Sequence, residues 1–123
     1  MALHNETGRH GEELAVRYLL DHGYCIRDRN WVCGKFELDI VAEKDGELVF
    51  VEVKSRSSDA CGDPFGAVDR RKRGRILFSA DAYIRTKETE LPARFDIISI
   101  VKEADRFRVE HIEDAFSPVL RSR

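Results

Sequence analysis

A two-residue turn between two largely apolar segments places the strongest constraint on how this chain can fold. Asp45-Gly46 separates the segment from Phe36 to Glu43 from the segment from Glu47 to Ser55. Asp-Gly is favoured in two-residue hairpin turns because both central residues need a positive φ. The two segments are therefore predicted to pair as antiparallel strands, with Lys44 opposite Glu47. A slip of one residue would turn every side chain to the other face.

This register would collect charged side chains on one face of the hairpin. Asp39 would lie opposite Glu52, Glu37 would lie opposite Lys54, and directly opposed residues point to the same side. Two opposed carboxylates repel each other, and a divalent cation removes the repulsion because Mg²⁺ binds carboxylate oxygens and retains several waters. A metal site is one interpretation. The alternatives are a surface ion pair between Glu37 and Lys54, or a turn of another length.

The remaining pattern predicts a single α/β domain spanning residues 1–123, with a core from about 8 to 116 and short tails at both ends. The predicted order α-β-β-β-α-β-β favours an α/β sandwich with a mixed central sheet. Ser57 to Gly66 is predicted to be a loop. Besides the hairpin strands, the predicted elements are helices at about 8–22 and at Ala67–Thr86, and strands at Tyr24–Val32, "RFDIISIV" (94–101) and "RFRVEHI" (106–112).

The composition, 42% hydrophobic and 36% charged, is typical of a globular protein and not of a membrane protein. No apolar run approaches the roughly 18 residues of a membrane span, and the N-terminus lacks the apolar core of a signal peptide. We therefore expect a cytoplasmic protein with no membrane partner. The three cysteines (Cys25, Cys33 and Cys61) are odd in number and not closely spaced. This pattern indicates neither a disulfide framework nor a zinc knuckle.

Charge is distributed unevenly, although the net charge is only −2. The segment "RRKRGR", from Arg70 to Arg75, contains five basic residues, whereas Glu37 to Glu47 contains five acidic residues and one lysine. Such a combination can mean phosphate binding beside metal binding, or two separate solvated surfaces.

Two charged residues lie on otherwise apolar helical stripes. Glu12 shares a stripe with Ala15 and Leu19, and a third carboxylate at the metal site is the role we expect for it. Lys72 shares a stripe with Ile76, and its long side chain is expected to extend past the apolar surface to solvent.

The combination of Asp39 with the later Glu52-Val53-Lys54 resembles the PD-(D/E)XK nuclease core. More closely, the chain resembles the small YraN-like family, which is similar to archaeal Holliday-junction resolvases. The matching segments run in the family's order over nearly the whole chain. They are "GEELA" (11–15), Asn30, "ELDIV" (37–41), "VFVEVKSR" (49–56), "FGAV" (65–68), Lys72, "RFDII" (94–98) and "IEDAF" (112–116).

The resemblance implies a restriction-endonuclease-like fold and a catalytic set. Asp39 and Glu52 would be ligands of Mg²⁺ or Mn²⁺, with Glu12 as a further ligand. Lys54 would be the catalytic lysine that steadies the attacking water or the phosphate. Glu37 is expected beside the ligands without binding the metal.

The chain departs from the family pattern at two positions. Leu38 replaces a proline that takes no part in the chemistry. Phe36 replaces a common glycine, and its bulk is expected to narrow the approach to the site.

The function implied is that of a metal-dependent endonuclease acting on nucleic acid, with structured or branched DNA as the expected partner. Arg56, Lys72 and Arg73 would bind flanking phosphates. Two alternatives remain: a non-catalytic nucleic-acid-binding module with the same fold, and a protein-interaction domain whose acidic hairpin docks a basic partner. The choices between DNA and RNA, and between monomer and homodimer, are left open.

Overall fold

A computed structural model describes residues 2–57 and 70–116, with side chains described from His10 onward. The elements are α1 (Ala2–Asp21), β1 (Cys25–Cys33), β2 (Phe36–Lys44), β3 (Glu47–Ser57), α2 (Arg70–Lys87), β4 (Ala93–Glu103) and β5 (Arg106–Phe116). The predicted order α-β-β-β-α-β-β is confirmed. The predicted loop after Ser57, the "FGAV" segment and the predicted start of the second helix lie outside the described residues.

The five strands form one mixed sheet in the order β1-β2-β3-β4-β5. β3 and β4 are parallel, and the other three neighbouring pairs are antiparallel. A parallel pair needs a crossover connection, and α2 lies in the connection between β3 and β4. The α/β class and the mixed sheet are therefore both as predicted. Neither described helix has the length and apolar character needed to cross a membrane.

The hairpin turn forms as its sequence predicts. Asp45 and Gly46 have φ values of 53° and 79°, and the ladder pairs β2 with β3 from Lys44↔Glu47 to Ile40↔Val51. The ladder stops there within the described residues, one pair short of Asp39 and Glu52.

The predicted pairings of Asp39 with Glu52 and of Glu37 with Lys54 are not formed, because the described β2–β3 ladder has no pair beyond Ile40↔Val51. Glu37 is paired with Val32 on its β1 side, and Lys54 is paired with Ser99 on its β4 side. The reason is local: the Asp39 carboxylate accepts a hydrogen bond from the Val53 backbone N–H at 2.9 Å, where the next residues of β2 would otherwise continue the ladder.

The sheet is covered by one helix on each face. On the α1 face the buried core includes Ala15, Leu19, Ile40, Val49 and Val51. On the α2 face it includes Leu38, Val41, Phe50, Ile76 and Tyr83. Because α2 packs against β1 and β2, its first turns stand over the part of the sheet where Asp39 lies.

A buried ionic network lies on β4 and β5, away from Asp39, and it includes two residues of the "RFDII" segment. The fully buried Asp96 carboxylate accepts two hydrogen bonds from Arg94, at 2.9 and 2.7 Å, and lies 2.7 Å from His111 Nε2. Arg94 also donates to the Tyr24 hydroxyl. Burial alone would raise the pKa of Asp96, but the bonds from His111, Arg94 and the Asp114 backbone hold that pKa below its usual value. The "RFDII" segment therefore has a structural role.

A glycine sets the close approach of α1 to the sheet. A Cβ atom added at Gly11 would lie 2.3 Å from the Ser55 Oγ of β3. The neighbouring Glu12 is thereby held close to the sheet, and its carboxylate charge acts on Asp39.

We expect Gly11→Ala to be neutral or destabilising in the wild-type protein. The gain in helix propensity, about 1 kcal/mol, is opposed by the clash with the Ser55 hydroxyl. In a Ser55→Ala background the same substitution should stabilise the protein by up to about 1 kcal/mol. Urea unfolding of the four proteins measures the difference, and equal effects in both backgrounds would contradict the close approach.

Candidate functional site

A small cavity lies where the β1–β2 turn, the middle of β3 and the first turns of α2 meet. Its volume is about 230 Å³. This is enough for a hydrated cation and smaller than the roughly 300 Å³ at which small-molecule pockets begin. Its lining residues are Lys35, Phe36, Glu37, Asp39, Glu52, Lys72, Arg75 and Ile76. The cavity therefore combines three acidic side chains with three basic ones.

Asp39 reaches the cavity because β2 departs from strict alternation around it. Leu38 and Val41 both pack on the α2 face although they are three residues apart, and Ile40 packs on the α1 face. Burial and the neighbouring Glu52 carboxylate raise the pKa of Asp39 to about 8, with a smaller contribution from Glu12. The Val53 N–H and Lys72 oppose this rise only in part. The neighbouring positive charge and hydrogen bond therefore do not fully stabilise the ionised form of Asp39.

Glu52 is the most buried acid of the cavity, at 6% exposure. Its Oε2 lies 2.7 Å from the ammonium Nζ of Lys72. Burial opposes the charge of Lys72, but Glu52 and Asp39 together raise the Lys72 pKa above its usual value. The Lys72 side chain is 39% exposed, but its ammonium group contacts a buried carboxylate, whereas the sequence predicted that it would extend to solvent.

The predicted catalytic lysine, Lys54, is not among the residues that line the cavity. It is half-buried on β3. Across residues 2–57 and 70–116 its side chain makes no hydrogen bond or ion pair, whereas the Lys72 ammonium contacts Glu52 directly. The lysine beside the paired carboxylates is therefore Lys72.

Glu12 is near the site without joining the other two acids. Its two carboxylate oxygens accept hydrogen bonds from Asn30 Nδ2 at 3.1 and 3.3 Å. Asn30 lies on β1 with a φ of 50°. Among the residues described, no group of three or more His, Cys, Asp or Glu side chains is placed to hold one metal ion. The structure gathers Asp39 and Glu52, and leaves the third predicted ligand bound to Asn30.

The basic residues predicted to bind phosphates lie in different settings. Arg56 donates to Ser99 Oγ at 3.3 Å and to Glu110 Oε1 at 3.2 Å, so it is bound across β4 and β5. Arg73 is exposed on α2 and does not line the cavity. Two basic residues that were not singled out, Lys35 and Arg75, do line it. The signal for Arg75 was its position in the "RRKRGR" segment.

The cavity fits a hard divalent cation on the chemistry of its donors. Mg²⁺ is commonly held by one or two carboxylates, with water and substrate phosphate completing its shell. Asp39 and Glu52 supply the two carboxylates. Burial and Glu52 raise the pKa of Asp39, and Lys72 offsets this rise only in part.

The raised pKa of Asp39 makes the stability of the metal-free protein depend on pH. The folded state holds the Asp39 proton up to about pH 8, whereas the unfolded chain releases it near its ordinary pKa of 3.8. The group's contribution to stability is therefore complete at low pH and is lost as pH rises through about 8.

Asp39→Asn should consequently gain stability over wild type between about pH 5 and pH 8, by at least about 1 kcal/mol, and the gain should level off above that range. Unfolding in chelator-treated buffer across this pH range measures it. Asp105→Asn, at an exposed turn, is the matched control and should track wild type. A constant difference between Asp39→Asn and wild type at every pH would show that Asp39 ionises normally.

The sequence of this chain matches one protein family and several bacterial proteins over most of its length. The profile of the family described as "Uncharacterised protein family UPF0102" matches residues 11–100, a range that contains every residue of the cavity. A UPF0102 protein of Phocaeicola vulgatus is 55% identical over 118 residues, which cover 96% of this chain and 98% of the relative. One of Bacteroides thetaiotaomicron is 52% identical over 120 residues, covering 98% and 99%. One of Flavobacterium psychrophilum is 43% identical over 116 residues, covering 94% and 98%.

These matches extend over nearly the whole chain and confirm the resemblance to the YraN-like family. The chain belongs to the UPF0102 family.

Proposed function

We propose that this protein is a metal-dependent endonuclease that hydrolyses phosphodiester bonds in nucleic acid, with structured or branched DNA as the expected substrate. The observation that carries the proposal is the sharing of one cavity by Asp39 and Glu52. Within the described part of the chain, the ion pair at these acids is that of Lys72 with Glu52. Two carboxylates brought together under partial burial are costly, and a protein selected for stability alone would avoid them.

In this proposal Asp39 and Glu52 hold Mg²⁺ or Mn²⁺. The bound ion supplies Lewis-acid chemistry, by polarising the scissile phosphate and lowering the pKa of a bound water. Asp39 is held in place by the hydrogen bond from the Val53 backbone, so its carboxylate is oriented before the ion arrives. Lys35 and Arg75 line the cavity, and in this proposal they would contact phosphate oxygens of the substrate.

Lys72 has a second role in this proposal. Its ammonium is held by Glu52. When Glu52 serves as a metal ligand, the Lys72 ammonium would exchange this carboxylate for a phosphate oxygen at the same site. It would there stabilise the negative charge that develops during hydrolysis, the part that the resemblance assigned to Lys54.

The same ion pair favours the second candidate, a nucleic-acid-binding module without catalytic activity. Because Lys72 lies 2.7 Å from Glu52, this carboxylate is satisfied without a metal ion. In such a module the basic α2 wall alone would carry binding, and metal would be irrelevant to it.

Incubation with single-stranded, duplex and branched DNA in Mg²⁺, Mn²⁺ or EDTA distinguishes the two candidates. The nuclease should cleave at least one substrate with either metal and none in EDTA. Asp39→Asn and Glu52→Gln should each lose about 100-fold or more in rate, the scale of losing a major electrostatic group from an active site. Glu90→Gln, at an exposed position away from the cavity, is the control and should cleave as wild type does.

Two outcomes would contradict nuclease activity. Tight binding that is equal in Mg²⁺ and EDTA, with no cleavage of any substrate, would identify the binding module. If the protein had no affinity for any nucleic acid at low salt, the remaining interpretation would be a protein-interaction domain.

A further inference from the structure

We propose that Phe36 and Phe78 form a stacking platform for an unpaired nucleobase at the mouth of the cavity. The inference rests on the proposed function in one respect only, namely that the ligand is a nucleic acid. It names a substrate class that the carboxylates alone do not specify: a strand with at least one unstacked nucleotide.

The two rings form a supported aromatic surface. Phe78, on α2, is 59% exposed, which makes it the most exposed aromatic side chain that the structure describes. Phe36, at the start of β2, lines the cavity and meets Phe78 edge to face, with ring centroids 5.9 Å apart and planes at 88°. This contact orients the Phe78 ring and leaves much of it open to solvent.

Positive charge surrounds the platform. The Arg75 guanidinium lies 5.8 Å from the centre of the Phe36 ring, and Lys35 lines the cavity beside it. Arg71, Arg75 and Phe78 are spaced so that they share one stripe of α2, and all three are exposed. Neither Arg71 nor Arg75 forms an ion pair with any residue that the structure describes.

This combination favours a nucleic acid strand over an apolar protein surface. Cations without acidic partners would be costly to bury in an apolar interface, whereas phosphates compensate them. Aromatic faces interleaved with basic residues are how single-stranded nucleic acid is bound without sequence preference, because every base has a π-face.

The platform can bind only nucleic acids in which the face of a base is accessible. In a continuous duplex the base faces are covered by their neighbours, so Phe78 can reach a base only at a single-stranded end, gap, bulge or flipped nucleotide. Phe36 reinforces this selection because its bulky side chain lines the cavity beside Phe78. A strand whose base stacks on Phe78 would carry its phosphates toward Arg75 and Lys35.

The test is binding of fluorescent oligonucleotides in EDTA, which keeps it separate from cleavage. Phe78→Ala should weaken binding of single-stranded DNA about 5- to 140-fold, the range expected for one lost stacking contact. Phe78→Leu, which keeps an apolar side chain, should lose about as much. Binding of blunt duplex should change less than about twofold. Leu20→Ala, another exposed apolar residue at 55% exposure but on α1, is the matched control and should bind as wild type does.

Two further measurements identify stacking itself. Phe78→Trp should retain binding. Oligonucleotide should quench the tryptophan fluorescence of this variant more than that of the wild type, whose signal comes from Trp31 alone. An oligonucleotide with abasic sites should bind wild type more weakly than its intact counterpart, and Phe78→Ala should no longer distinguish the two.

The outcomes separate this inference from the proposed activity. Base-dependent binding that requires Phe78, without cleavage in any metal, would uphold the platform and reject the nuclease. Cleavage with unchanged single-strand affinity in Phe78→Ala would reject the platform and uphold the nuclease. If Phe78→Ala instead turned a dimer into a monomer at unchanged affinity for DNA, the platform would be overturned and the surface would be a self-association interface.

Discussion

The hydrogen bond from the Val53 backbone to the Asp39 carboxylate is the contact on which the candidate site depends. It lies where the β2–β3 ladder stops, so a side chain takes the place of the next main-chain partner. Asp39 is thereby fixed in a partly buried position beside Glu52, and the charge conflict between the two acids is built into the fold. Burial and this conflict together raise the pKa of Asp39.

Lys72 connects this conflict to the rest of the molecule. It brings one positive charge to two carboxylates, from a helix that also carries Arg75 and Phe78 on its outer surface. The same helix therefore compensates the acids, provides basic groups at the cavity wall and presents the exposed ring. In the proposed nuclease, these three features would support the metal ligands, contact phosphates and select an unpaired strand.

The sequence could predict what depends on local pattern. The Asp45-Gly46 turn determined the register of five residue pairs from Lys44↔Glu47 outward, and the element order determined the mixed sheet. The end of the ladder could not be predicted, because it results from the competition between a side chain and the main chain at Asp39. Nor could the inward position of Lys72, which depends on where α2 crosses the sheet.

The central claim is that Asp39 and Glu52 form a divalent cation site, and anomalous diffraction from crystals soaked in Mn²⁺ tests it most directly. The account predicts a manganese peak bound to both carboxylates, with the Lys72 ammonium moved away from Glu52. Crystals of Glu52→Gln should show a weaker peak or none. A wild-type crystal with no peak in the cavity at saturating Mn²⁺, and with the Lys72–Glu52 ion pair intact, would contradict it.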